Sequence, residues 1–273
     1  MMRASMAQTA RAALLALAAV AIQMQIQDAH AQTLATLYPR GPVRIIVPFP
    51  PGGPVDVTAR ALAQRLGDIW SAQVTVDNRS GANSVIGAEA AARAAPDGHT
   101  LFMGAIHQSV LPGFGNKLPY DLEKDLTPVM FGAQFSIILS MTDLLAGQVQ
   151  LMFSDGPTAL PHLRSGRVKA FAVGSPKRSA LVPDLPTMIE AGVPGYEAYS
   201  WAGLWVPAAT PRDVVAAINA ATVRAFSDPA VKERLLAQGA EVSPGTPEQF
   251  GAFVKTEMVK WAAVIKRAGI KAD

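Results

Sequence analysis

The chain has 273 residues, half of them hydrophobic, a net charge of +3 and no cysteine. That length serves one large domain or two small lobes. The basic residues are scattered and lack interleaved aromatics, which argues against nucleic acid as a partner, while the absence of thiols excludes a disulfide framework, thiolate catalysis and thiolate metal sites.

The N-terminus has the pattern of an export signal. Arg3 and Arg11 flank the start of an apolar run from Ala12 to Ile22, and Ala29-His30-Ala31 forms a small-residue site with cleavage expected before Gln32. The run is too short to span a bilayer. An uncleaved amphipathic helix is the alternative. A periplasmic location is expected, with 1–31 removed.

Val43–Pro48 is a short β-branched run that predicts a buried parallel strand. The Pro/Gly loop Phe49–Gly53 follows, and a helix starts near Pro54, with Val55, Ala59, Leu62, Leu66 and Ile69 on one face. Gln73–Val76 predicts a second strand, Asp77–Ser84 a loop, and the residues through Ile86 and Ala88 to Ala94 a helix with Ser84 or Asn83 as N-cap. Ala95-Pro96-Asp97-Gly98 is a turn and Thr100–Gly104 a third strand. The β-α-β-α-β order predicts a parallel sheet with right-handed crossovers. Thr127–Leu139 is an extended apolar run that crosses into a second lobe. Val149–Phe153 is expected as a strand with Ser154–Pro157 its exit turn, Thr158–Arg164 as a short helix, and Val168–Val173 as a strand. Pro183–Tyr196 is mostly turn, and Gly203–Val206 is a strand. Three helices close the chain: Pro211–Phe226 with proline at N1, Pro229–Gln238 and Pro247–Ala268.

In a parallel sheet, ligands sit outside the carboxyl ends of the strands. The loops Pro48–Gly53, Asn78–Ser84 and Gly104–Ser109 therefore share one rim. The unpaired first amides and dipole of a helix suit that rim to an anion. Gly52 and Gly53 let a ligand approach the main chain, and no lysine follows them, so a nucleotide P-loop is not expected. The competing reading of the first loop is a tight strand-to-helix turn without ligand. Asp56 reads as a helix-start residue rather than a catalytic acid. His107 sits at the rim, either donating to a ligand or in an ordinary surface role. Asp155 leaves a strand toward the cleft, where turn formation is the commoner role. Trp201 and Trp205 alternate on one strand and read as core. His99, His107 and His162 form no i,i+4 pair and have no acidic cluster beside them, so neither metal nor cofactor is expected. Ser80 and Ser84 lie in no Gly-x-Ser-x-Gly elbow, so catalytic residues are not expected.

Taken in order, several motifs carry a family resemblance. They are Val43–Asp56, Asn78–Glu89, Ala95–Leu101, Lys117–Asp121, Gly147–Phe153, Leu185–Thr187 and Lys260-Trp261. The ordered set resembles the Bug family, the extracytoplasmic solute receptors of tripartite tricarboxylate transporters. The resemblance implies an α/β, two-lobed periplasmic-binding-protein type II-like fold. It implies a small carboxylate ligand held largely by main-chain amides and waters, cleft closure on binding, and hand-off to membrane permease subunits. A monomer is expected. Carried over by position, it implies ligand contacts from Phe49, Gly52, Gly53 and Asp56, then Ser80, Gly81, Ala82, Asn83 and Ser84, then Ala105, Ile106 and His107, with Asp155 on the second lobe. The first lobe is expected over 32–134 and 203–273, the second over 135–202.

The chain departs from the family near Ser140-Met141. There Ile138-Leu139-Ser140 runs almost directly into Thr142-Asp143-Leu144-Leu145. The several dozen residues that supply the second lobe's Ser-Pro-Gly-x-Gly-Thr loop in relatives are missing. A truncated second lobe, exposed apolar surface and a weakened or absent site are expected. Two alternatives to the receptor stay open: a binding-defective relative, and a periplasmic hydrolase that would need a Ser or Asp activated by His107.

Overall fold

The computed structural model describes residues 38–115, 117–142 and 151–271. The expected leader, and Gly147–Gln150 of the fifth motif, lie outside these. Among the described residues no helix is long and apolar enough to cross a membrane.

The first half builds the expected unit: β1 Val43–Val47, α1 Pro54–Trp70, β2 Val74–Asn78, α2 Val85–Ala92 and β3 Thr100–Ala105. β1 pairs in parallel with both β2 and β3, so all three strands end at the same rim. The short α3 His107–Val110 and α4 Leu122–Asp125 follow, then β4 Leu126–Phe135 and β5 Ile137–Thr142. Leu126–Thr142 thus contains the expected crossing run Thr127–Leu139, interrupted only at Ser136. β6 Leu151–Asp155, α5 Gly156–Arg164 and β7 Val168–Val173 form the small lobe. The chain returns in β8 Ser200–Pro207 and closes with α6 Arg212–Ser227, α7 Pro229–Ala237, β9 Ala240–Val242 and α8 Pro247–Ala268.

Two sheets result, with orders β2-β1-β3-β8-β4-β9 and β6-β5-β7. β8 runs antiparallel to β3 and β4. β4 bulges twice, next to Pro128 and between Phe131 and Ala133; a proline cannot donate to the ladder and is tolerated at such an irregularity. Phe135 and Ser200–Ala202, placed from sequence in the smaller lobe, pair in the larger sheet. The main chain ties the lobes together at the crossing: Gly156 N–H donates to Ser136 O at 2.8 Å and Gly174 N–H to Ile137 O at 2.8 Å.

The large sheet is buried on both faces. One face packs under α1 and α6 through Leu62, Leu66, Ile218 and Phe226. The other packs under α2 and α8 through Phe102, Trp201, Trp205 and Phe250, with Trp205 and Phe250 rings 4.6 Å apart. Both tryptophans are core, as read from the sequence. α8 begins with a capping box between Thr246 and Gln249, which satisfies two otherwise orphan donors.

Three local expectations are corrected. No turn intervenes after Asp155; α5 starts at Gly156, because Ser136 O holds the Gly156 amide. Pro211 is the N-cap of α6 rather than its first residue; its φ is proline-like but its ψ of 141° is extended. β8 is longer than Gly203–Val206, because its polar-flanked start at Ser200 pairs with Phe135.

The small sheet has one covered face. Ile138, Ala159 and Val173 form its core under α5. On β6 and β7, Leu151 is 59% exposed, Phe153 51% and Phe171 43%, the apolar surface that loss of covering segments predicts.

Candidate functional site

The rim is built from three loops stapled by side chains. α1 starts at Gly53 with Pro54 in its first turn and no side-chain cap. Asp56, 1% exposed, turns back on the loop instead. Its Oδ2 accepts from Gly52 N–H at 2.9 Å and from Arg60 Nε at 2.9 Å, and its Oδ1 from Asn78 Nδ2 at 2.8 Å. Asn78 also donates to Phe49 O at 3.0 Å, and Arg60 Nη2 donates to Asn78 Oδ1 at 2.9 Å. One carboxylate therefore joins the first loop to the end of β2. Burial pushes the Asp56 carboxyl up, but the hydrogen bonds from Arg60, Gly52 and Asn78 outweigh it and hold the group below the ordinary carboxylate value.

This corrects one expectation. The Gly52 amide, expected to face a ligand, is taken by Asp56, because an ionised carboxylate one helical turn away is a stronger acceptor than water. Pro51 and Gly52 form a tight turn that directs the Gly53 amide toward Pro50 O, and α1 has no side-chain cap.

The second loop has an unusual backbone. Gly81, Ala82, Asn83 and Ser84 all have positive φ, at 132°, 47°, 50° and 79°. For the three non-glycine residues that conformation costs about 1–2 kcal/mol each. Ser84 sits at the N-cap of α2 but does not cap with its side chain; its Oγ accepts from Gln108 Nε2 at 2.8 Å instead. α2 approaches the first loop so closely that a Cβ on Gly87 would lie 2.7 Å from Pro48 Cβ.

At the third loop, Ala105 N–H donates to Gln108 Oε1 at 2.6 Å. Its amide, like that of Gly52, is held internally, which corrects the expectation for Ala105. The Ile106 amide donates to Trp201 O at 3.1 Å. The His107 ring lies against Phe49, centroids 5.0 Å apart, and burial lowers its pKa, keeping the imidazole neutral near pH 7.

On the small lobe, Asp155 precedes α5 without capping it, and burial raises its pKa. A cavity of about 410 Å³ lies where the lobes meet. Gly52, Gly53 and Val57 line it from the large lobe, as does Gln238 at the end of α7, with Phe135 from the crossing run and Thr158 and Arg164 from α5. Of the residues expected from the sequence, only Gly52 and Gly53 line this cavity; Ser80–Ser84, Ile106, His107 and Asp155 do not. Sequence reasoning missed Thr158, Arg164, Gln238 and Gln108. Arg60 was findable as the i+4 partner of Asp56; Gln108 carries no local signal.

Two α/β lobes, a crossing at Ser136 and an anion-suited rim on one side of the cleft define a type II periplasmic binding protein. The comparisons agree. The model of the family described as tripartite tricarboxylate transporter family receptor, TctC, matches residues 58–140 and 138–270, and breaks in two where the sequence skips the covering segment. Protein BugT of Bordetella pertussis strain Tohama I is 30% identical over 322 aligned positions, spanning 93% of this chain and 98% of BugT. Among solved structures, MatC (Rpa3494) from Rhodopseudomonas palustris with bound malate superposes with a TM-score of 0.75 at 28% identity, covering 84% of this chain and all of that one. R. palustris Rpa4515 with adipate superposes with a TM-score of 0.78 at 26% identity, covering 86% and 99%. The chain belongs to the tripartite tricarboxylate transporter receptor family, with a truncated second lobe.

Proposed function

We propose that this protein is a periplasmic receptor that captures a small di- or tricarboxylate between its lobes and delivers it to the permease subunits of a tripartite transporter. The observation that carries the reading is the rim: three parallel strands end together beside the start of α1, which has no side-chain cap. A helix N-terminus favours a carboxylate there. MatC with malate and Rpa4515 with adipate, both of this fold, support the ligand class. The leader pattern supports export.

With the Gly52 and Ala105 amides engaged, fewer donors remain than an intact cradle would offer. Each lost charge-assisted bond removes roughly 1.5–3 kcal/mol. We therefore place the affinity nearer millimolar than micromolar, about −4 rather than −8 kcal/mol. Isothermal titration of the purified protein against malate, adipate, citrate and longer dicarboxylates tests this. Saturable heat with at least one acid is expected. No heat with any of them at about 10 mM, well above that Kd, overturns it and leaves the second reading, a relative that no longer binds. The uncovered residues Leu151, Phe153 and Phe171 favour that second reading.

A further inference from the structure

The left-handed run Gly81–Ser84 needs something to hold it. Ala82 tolerates that backbone less well than glycine or asparagine does, and the run ends at Ser84, whose side chain is buried. The holding contact comes from Gln108, which is fully buried. Both ends of its amide are used: Oε1 takes the Ala105 amide at 2.6 Å, and Nε2 reaches Ser84 Oγ at 2.8 Å. The side chain thus spans from the exit of β3 to the end of the strained loop. Space for it depends on Gly104, where a Cβ would meet Gln108 Oε1 at 2.7 Å and Trp205 at 2.9 Å. The Tyr120 hydroxyl of the Lys117–Asp121 motif is buried and makes no hydrogen bond within the described residues.

We propose that Gln108 is the positioning residue of the ligand cradle. It holds Gly81–Ser84 in the left-handed form and ties that loop to the third one, so that two of the three rim loops move as one body. The claim about affinity rests on the receptor reading above; the claim about the loop does not.

The test uses the full mature protein. Gln108→Met keeps length and burial but removes both hydrogen-bonding ends. Gln108→Glu keeps an acceptor for the Ala105 amide, and the Ser84 hydroxyl can turn to donate to it. Hydrogen exchange without ligand should show the Ala105 amide opening roughly tenfold or more faster in Gln108→Met and less so in Gln108→Glu. Titration with the best-bound acid should show a loss of about tenfold or more in Gln108→Met. The discriminating arm is Ala82→Gly, which relaxes the backbone without removing a ligand-binding side chain. Added to Gln108→Met, it should return affinity to within about threefold of Ala82→Gly alone. A side chain that merely fills the core would not be rescued from a surface loop. If Gln108→Met fails to fold, Gln108→Leu, which also removes both hydrogen-bonding ends, carries the same comparison with and without Ala82→Gly. Unchanged exchange at Ala105, or no rescue by glycine, overturns the proposal. If the parent binds no acid, the receptor reading fails on that result, and the exchange arm alone decides whether Gln108 holds the loop.

Discussion

Replacing Asp56 with alanine is the sharpest perturbation of the rim. Asp56 is 1% exposed and accepts from Gly52, Arg60 and Asn78. Its partners are not equal. The Arg60 side chain is 51% exposed, so that ion pair contributes under about 1 kcal/mol. The Gly52 and Asn78 bonds are charge-assisted, roughly 1.5–3 kcal/mol each when lost. Asn78 keeps Phe49 O as an acceptor and the Gly52 loop can reach water, which returns part of that. The net cost is about 2–4 kcal/mol, or a melting temperature lower by roughly 4–16 °C for a chain of this size. The sign of the pH dependence follows from the lowered carboxyl. A group with a depressed folded pKa contributes stability that is full above its unfolded value, near pH 4, and is lost as pH falls through the folded value. The gap between parent and Asp56→Ala should therefore be widest at neutral pH and close in acid. Calorimetry at pH 7 and at about pH 3 measures both. Melting within about 1 °C of the parent at pH 7, or an equal gap at both pH values, would refute the staple.

Asp155 gives the opposite sign. Burial raises its pKa, so folding must accommodate a buried charge as pH rises above the ordinary carboxylate value. Asp155→Asn should melt higher than the parent at pH 7 and no differently in acid, which calorimetry at the two pH values measures. On the uncovered sheet, the paired replacements Leu151→Lys and Phe153→Ser should reduce binding of a hydrophobic dye and concentration-dependent scattering while leaving the melting temperature within about 2 °C; a large drop in stability would mean that those side chains are packed in solution.

The large lobe was legible because its residues report period and punctuation. Val43–Val47 is a β-branched run broken only by Arg44; Val55, Ala59, Leu62 and Leu66 repeat at helical spacing, and Pro247 announces α8. What escaped is short or non-local. β9 is three residues long and exists because Ala133–Phe135 offers it an edge. α3 is four residues and has no room to show a period. The rim loops were found, but the direction of their amides was not. Whether Gly52 N–H faces a ligand or Asp56, and whether Ala105 N–H faces a ligand or Gln108, depends on side chains that reach the amide only after the chain folds.

The distribution of core explains how a chain that skips a segment still folds into a recognisable receptor. The two packed clusters, with all of the largest fully buried side chains, belong to the six-stranded sheet and its helices. Around the three-stranded sheet the described buried cluster is Ile138, Ala159 and Val173, with Leu160 and Ala172 also buried. Burying a large aliphatic side chain contributes roughly 1.5–3 kcal/mol, so these few small or medium residues do not sustain an independent unit. The small lobe is held instead by continuity with β4 and β8 and by the Gly156 and Gly174 amides at the crossing. The missing segment therefore removes little from the stability of the fold. Under the receptor reading its cost falls on the ligand, which would meet a rim with the Gly52 and Ala105 amides already engaged and, opposite it, a lobe with α5 over its sheet.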